Sequence, residues 1–156
     1  MKKTIRYIVA FLIVSPFMIL FYLLRIFLKK ERIFQILGPL VTNITKQTLR
    51  VWAPSLNNPK EFDLFPSKMK KNFWIWKPFY DFEIVEETKD TLKFHVWNCP
   101  FCEVLNYCNL SDLSPYLCQA DWEYAKEHKD QWNFERHHEI GTGDSFCDHT
   151  YKRLDN

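Results

Sequence analysis

Between Tyr7 and Leu24 the chain runs for eighteen residues without a formal charge, and whatever else it folds into must accommodate that segment. At about 1.5 Å per helical residue the run spans roughly 27 Å, close to the hydrocarbon thickness of a bilayer. Lys2, Lys3 and Arg6 open it, and Arg25, Lys29, Lys30 and Arg32 close it. Ser15-Pro16 in its middle kinks a helix without preventing insertion. A secretory signal has a shorter apolar stretch, about 7–15 residues, followed by small residues at a cleavage site. Here the run ends in Phe21-Tyr22-Leu23-Leu24-Arg25-Ile26-Phe27-Leu28, which offers no such site. The expectation is an uncleaved single-pass anchor, with the lipid bilayer as a partner of residues 7–24. Both flanks are basic, the C-terminal one slightly more so. The five cysteines are an odd number, which a secreted domain would tend to avoid. Both points place the remaining chain in the cytoplasm.

Past the anchor about 125 residues remain, room for one compact domain and not two. Lysines and arginines number 21 against 19 acids, so no large basic surface forms. The many aromatic residues do not interleave with basic ones, and nucleic-acid binding finds no support. The organisation read from these shifts is an anchor over residues 1–30, a helical connecting segment over 31–72 and a folded domain over 73–156.

Local pattern gives that domain its class. Ile33, Ile36, Leu37, Leu40, Val41 and Ile44 recur at helical spacing, predicting a helix from Ile33 to about Val51. Residues 61–71 are ambiguous, and Trp74-Ile75-Trp76-Lys77-Pro78 reads as a short edge strand or an extended cover. The aromatic run from Phe73 to Tyr80 suits a membrane interface or a core equally. Phe82–Glu86 and Thr91–Trp97 read as two strands joined by a polar turn. Pro100 opens a short helix to about Tyr107 with Cys99 at its start, and Ser114-Pro115 opens another. Trp132–Ile140 alternates as a strand, Gly141-Thr142-Gly143 turns, and Phe146–Arg153 returns. The expected fold is α+β: an antiparallel sheet from two hairpins with intervening helices, preceded by the transmembrane helix.

Candidate chemistry lies in the last third of the chain. Cys99, Cys118 and Cys147 are separated in sequence, and Asp121 and Asp148 lie close to two of them. Cys99 sits at a helix start, which favours a thiolate and makes it the first choice of nucleophile. Asp121 or Asp148 would activate water or carry a proton. Trp132, Phe134, Arg136, His138 and Ile140 share one strand face if the alternation holds, which sets a guanidinium and an imidazole among apolar neighbours. On the returning strand Cys147, His149 and Tyr151 share a face, while Asp148 points the other way.

Two other chemistries use the same residues. Cys99-Pro100-Phe101-Cys102 after a strand and at a helix start fits a thiol–disulfide redox module, although no proline follows between Gln131 and Tyr151 to supply a cis-proline strand. Cys99 and Cys102 with Cys147 and His149 offer four ligands that zinc accepts, and Cys118 or His138 could substitute. Hydrolysis needs no cofactor; zinc belongs to the alternative.

Taken in order, Phe94-His95-Val96-Trp97-Asn98-Cys99-Pro100-Phe101, then Cys118-Gln119-Ala120-Asp121, Phe134-Glu135-Arg136, Gly143 and Cys147-Asp148 resemble the L-2-amino-thiazoline-4-carboxylic acid hydrolase-like family. The likeness runs from about Phe82 to Tyr151, under half of the chain. The positions that match are Cys99, Pro100, Glu103, Cys118, Asp121, Arg136, Gly143, Cys147 and Asp148. The resemblance implies hydrolytic opening of a cyclic, amidine-like thiazoline ring to an N-carbamoyl amino acid, with a small molecule as substrate. Water or an enzyme nucleophile adds at the carbon bonded to both nitrogen and sulfur, and the departing thiolate is protonated. Arg136 would bind a substrate carboxylate with its planar fork. Cys118, Cys147 and His138 complete the expected substrate-binding set. The sequence departs from the family in its anchor, in Cys102 and Cys108, and in the pair His137-His138.

Overall fold

The computed structural model describes residues 3–154, and Lys2 lies outside them. Five α-helices surround one face of a four-stranded antiparallel sheet. The helices are α1 (Lys3–Leu24), α2 (Lys30–Trp52), α3 (Phe65–Trp76), α4 (Pro100–Tyr107) and α5 (Ser114–Glu127). The strands are β1 (Phe82–Glu87), β2 (Thr91–Val96), β3 (Asn133–Glu135) and β4 (Cys147–Lys152), in spatial order β1-β2-β4-β3. The α+β class with an antiparallel sheet and an N-terminal apolar helix is thus the observed one.

The central pair β2–β4 sets the register on which the site depends. Leu92 lies opposite Tyr151, Phe94 opposite His149 and Val96 opposite Cys147. Strand alternation sends all six side chains to the helical side. There they meet Trp52, Phe65, Met69, Tyr124 and Trp132 in the main core. Phe94 stacks on the His149 imidazole at 4.9 Å between centroids and 6° between planes. A second core joins α1, α2 and α4 through Ala10, Val14, Ile33, Leu37, Val104 and Leu105.

The region from 31 to 72 does more than connect. Trp52, Phe65 and Met69 are core residues of the sheet, so α2 and α3 share one hydrophobic interior with residues beyond 73. The stretch read as an edge strand near Trp74 is the end of α3. Phe65, Met69, Phe73 and Trp76 fall on one helical face, and all four pack on the core while Trp74 stays 75% exposed.

Helix α1 is docked along the protein rather than standing clear of it. Arg6, Ala10, Val14 and Phe21 form its buried stripe, and it packs chiefly on α4. Both guanidinium nitrogens of Arg6 donate to the Asp81 carboxylate at 3.0 Å, and its Nε donates to the Pro78 carbonyl. The opposite face exposes Ile8, Phe11, Leu12, Ile19 and Leu23. By length and hydropathy α1 suits a membrane anchor or a signal sequence.

The second hairpin is shorter than its sequence pattern. Residues 133–135 pair with β4, but the chain then leaves the sheet. Arg136 turns inward, and the His137 and His138 amides donate to the Asp148 carboxylate at 2.8 and 2.6 Å instead of continuing the ladder. The expected strand therefore stops at Glu135, and His138 and Ile140 do not share a strand face with Phe134.

Candidate functional site

Four elements deliver polar side chains to one buried place. Cys99 caps the start of α4, held in extended conformation ahead of Pro100. Cys118 and Asp121 lie one turn apart on α5, Arg136 follows β3, and Cys147 and His149 come from the inner face of β4. These six residues line a single cavity of about 230 Å³. Tyr80 completes this end of the cavity, and the Cys102 thiol packs behind it against Cys99 and Cys118.

Arg136 organises the charges. Its side chain is 1% exposed and donates to Asp121 at 2.6 Å and to the Cys118 carbonyl at 3.3 Å. It also donates to the His149 Nε2. Because a guanidinium only donates, Nε2 must be the acceptor and the His149 Nδ1 carries the proton. Glu139 lies 3.6 Å from the same guanidinium. Burial alone would raise the Asp121 pKa, yet the Arg136 charge outweighs it and holds the carboxylate at about 2. Burial, with Arg136 adding to it, pushes the His149 pKa down, so the ring is neutral.

All five cysteines are free thiols, and the polarity of the cluster is uneven. Hydrogen bonds from the Cys102 and Cys147 thiols hold Cys118 well below the ordinary thiol range against burial, and the Arg136 charge adds to the effect. The same contacts push Cys102 and Cys147 up. A negative charge in the cluster therefore belongs on Cys118. Gly141 makes room for that sulfur: a Cβ there would lie 2.6 Å from the Cys118 Sγ and 2.5 Å from the Ser114 carbonyl. Gly143, at φ +113°, supplies the left-handed turn that returns the chain to β4.

Not every expected residue reaches this place. Asp148 is buried on the opposite face of β4, where burial raises its pKa but the His137 and His138 amides bring it below the usual carboxylate value. Its hydrogen bonds shape the 137–146 loop. His138 lies half-exposed beside it and stacks on Phe146 at 4.6 Å. Glu103 faces α1 and accepts from the Tyr7 hydroxyl. Arg136 is enclosed by protein partners rather than presented as an open fork. Conversely, His149 and Tyr80 were not named as site residues of a hydrolase. The available signal for His149 was its position two residues from Cys147 on one strand face. Tyr80 gave none, since the helix and turn that bring it in were not legible. Among the described residues, no group of three or more His, Cys, Asp or Glu side chains has the arrangement of a metal site.

The family model of L-2-amino-thiazoline-4-carboxylic acid hydrolase matches residues 13–151, most of the chain, and the chain belongs to that family. The match takes in the second half of α1 and all of α2 and α3, well beyond the segment that carried the sequence resemblance. No curated protein matches the chain.

Proposed function

We propose that this member of the family is a membrane-associated hydrolase that opens a small ring at a carbon bonded to both nitrogen and sulfur. The observation that carries the reading is the convergence of Cys99, Cys118, Asp121, Arg136, Cys147 and His149 on one cavity. The Cys118 thiolate attacks the ring carbon and the ring C–S bond breaks, leaving an isothiourea on the enzyme and a substrate thiolate that takes up a proton. Water then adds to the same carbon, the bond to Cys118 breaks, and the product is an N-carbamoyl compound with a free thiol. Overall, water supplies the oxygen to carbon and the proton to sulfur.

Cys99 is the rival nucleophile, since it stands on the same wall at the helix start. The preference for Cys118 rests on its two thiol donors and on Arg136. Asp121 is given a positioning role, because a carboxyl with a pKa of about 2 neither delivers nor holds a proton near neutrality. The neutral His149, with a proton on Nδ1, provides a hydrogen-bond donor. No substrate-facing role is assigned to Asp148 or His138.

The anchor belongs to the same proposal with one change from a free single span. With α4 docked along it, α1 offers lipid its outer face while its inner face stays on the protein. Alkaline carbonate washing tests the anchor: full-length protein should stay with the membranes, and release into the supernatant would sink it. For the chemistry, purified full-length protein is incubated with 2-aminothiazoline-4-carboxylate and the N-carbamoyl thiol is sought by mass spectrometry. Ring opening abolished by Cys118→Ala supports the reading. Normal turnover in that variant with loss in Cys99→Ala moves the attack to Cys99, and no opening of any thiazoline overturns the hydrolase.

A further inference from the structure

The cavity does not end at its polar residues. From Cys118 and Arg136 it continues past Trp52 and Trp76 to Leu49, and its outer wall is Ile13 and Phe17 of α1 facing Ile44 and Thr48 of α2. Ile13 is 51% and Ile44 47% exposed, so the mouth opens between these two helices. Leu20 follows Ile13 on the same face of α1 and Leu40 precedes Ile44 on the same face of α2, and both are exposed, so the rim itself is apolar. An apolar mouth bordered by an apolar face costs free energy in water and none in hydrocarbon.

The lining between its two ends points the same way: Leu49, Val96, Leu105, Leu113 and Leu117 offer a ligand hydrocarbon contact.

We propose that the substrate is an amphiphile: its ring lies at Cys118, and an aliphatic tail runs past Trp52 and Trp76 and out between α1 and α2 to the bilayer. This deepens the hydrolase reading and rests on it. The substrate reaches the site from the membrane plane, and the α1 that anchors the protein also forms half of the entrance. The tail occupies the α1–α2 cleft, and the ring lies at the polar end.

Tryptophan fluorescence reads tail binding without any turnover. Full-length protein in lipid nanodiscs is titrated with a long-chain carboxylate brominated along its tail, using a brominated short-chain acid as control. The proposal expects saturable quenching by the long acid only, reduced by Trp52→Phe and weakened at least tenfold by Thr48→Phe, which fills the mouth. Quenching that is unsaturable, or unchanged in both variants, overturns it. In parallel, thiazoline carboxylates with and without an N-linked acyl chain are compared as substrates. A preference of tenfold or more in kcat/KM for the acylated compound supports the proposal. Equal turnover of both, with no saturable quenching, removes the tail site while the hydrolase stands. Saturable binding with no ring opened supports the tail site and removes the hydrolase.

Discussion

The two faces of β4 carry neighbouring polar residues to opposite fates. On the inner face Cys147 and His149 meet Cys118, Asp121 and Arg136 around a cavity. On the outer face Asp148, between them in sequence, is satisfied by two backbone amides and closes a loop. Asp121 and Asp148 are both largely buried, both held ionised and both near a cysteine in sequence. What separates them is the partner. Asp121 is charged because a buried guanidinium requires it, while Asp148 is charged because amides ending a strand point at it. The first arrangement keeps other donors and a thiolate close by, and the second uses up its acceptor on the fold. Proximity to cysteine along the chain was therefore a weaker guide than strand parity.

The largest expected effect lies on the inner face. Cys118→Ala should lower kcat/KM for ring opening by about a thousandfold or more, the scale on which removal of a nucleophile acts. Asp148→Asn, with an oxygen still able to accept from His137 and His138, should retain most activity. If Asp148→Asn abolishes turnover in a folded protein, the division between the faces fails. Next in size is Arg136→Met. Removing the guanidinium leaves Asp121 buried without its partner, and chemical denaturation should show a loss of about 3–5 kcal/mol. Smaller again is Asp148→Ala, which strips the acceptor from two amides at the rim of a loop and should cost about 1–3 kcal/mol. Equal losses for Arg136→Met and Asp148→Ala would mean that the buried ion pair is not the stronger constraint.

Much of this contrast was present in the sequence, and its failures have local causes. The β1–β2 hairpin was legible because Leu92, Phe94 and Val96 alternate with polar neighbours and bury one side. The start of α4 followed from Cys99-Pro100, and α2 from the spacing of Ile33, Leu37 and Val41. Helix α3 was not legible, because its core face of Phe65, Met69, Phe73 and Trp76 is interrupted by Pro66 and by the exposed Trp74. Beyond Glu135 the alternation persists in the residues but the pairing does not, since the Asp148 side chain takes the amides that a longer strand would have given to β4. Cys118, Asp121 and Arg136 were named from their residue types. That Arg136 would be spent on Asp121 and His149 instead of being left open was a matter of tertiary packing, which no spacing reveals.

Acid titration gives the finest separation of the two faces. Both aspartates have folded pKa values below 3.8, so each contributes stability that is complete above that pH and is lost as pH falls through its folded value. His149 acts earlier. Its folded pKa lies below 6.5 because burial and the Arg136 charge oppose protonation. Below about 6.5 the unfolded chain takes up a proton that the folded chain refuses, and stability declines as the pH drops through that window. Replacing the ring with an uncharged one of similar shape removes the proton without removing the stack on Phe94. His149→Phe should therefore flatten the stability profile just below about pH 6.5, while Asp148→Asn leaves it there and changes only the more acidic limb. Urea denaturation at half-unit pH steps measures this directly. A His149→Phe profile parallel to that of the unaltered protein would mean that the imidazole protonates freely in the folded state, and the neutral donor assigned to the inner face would be lost with it.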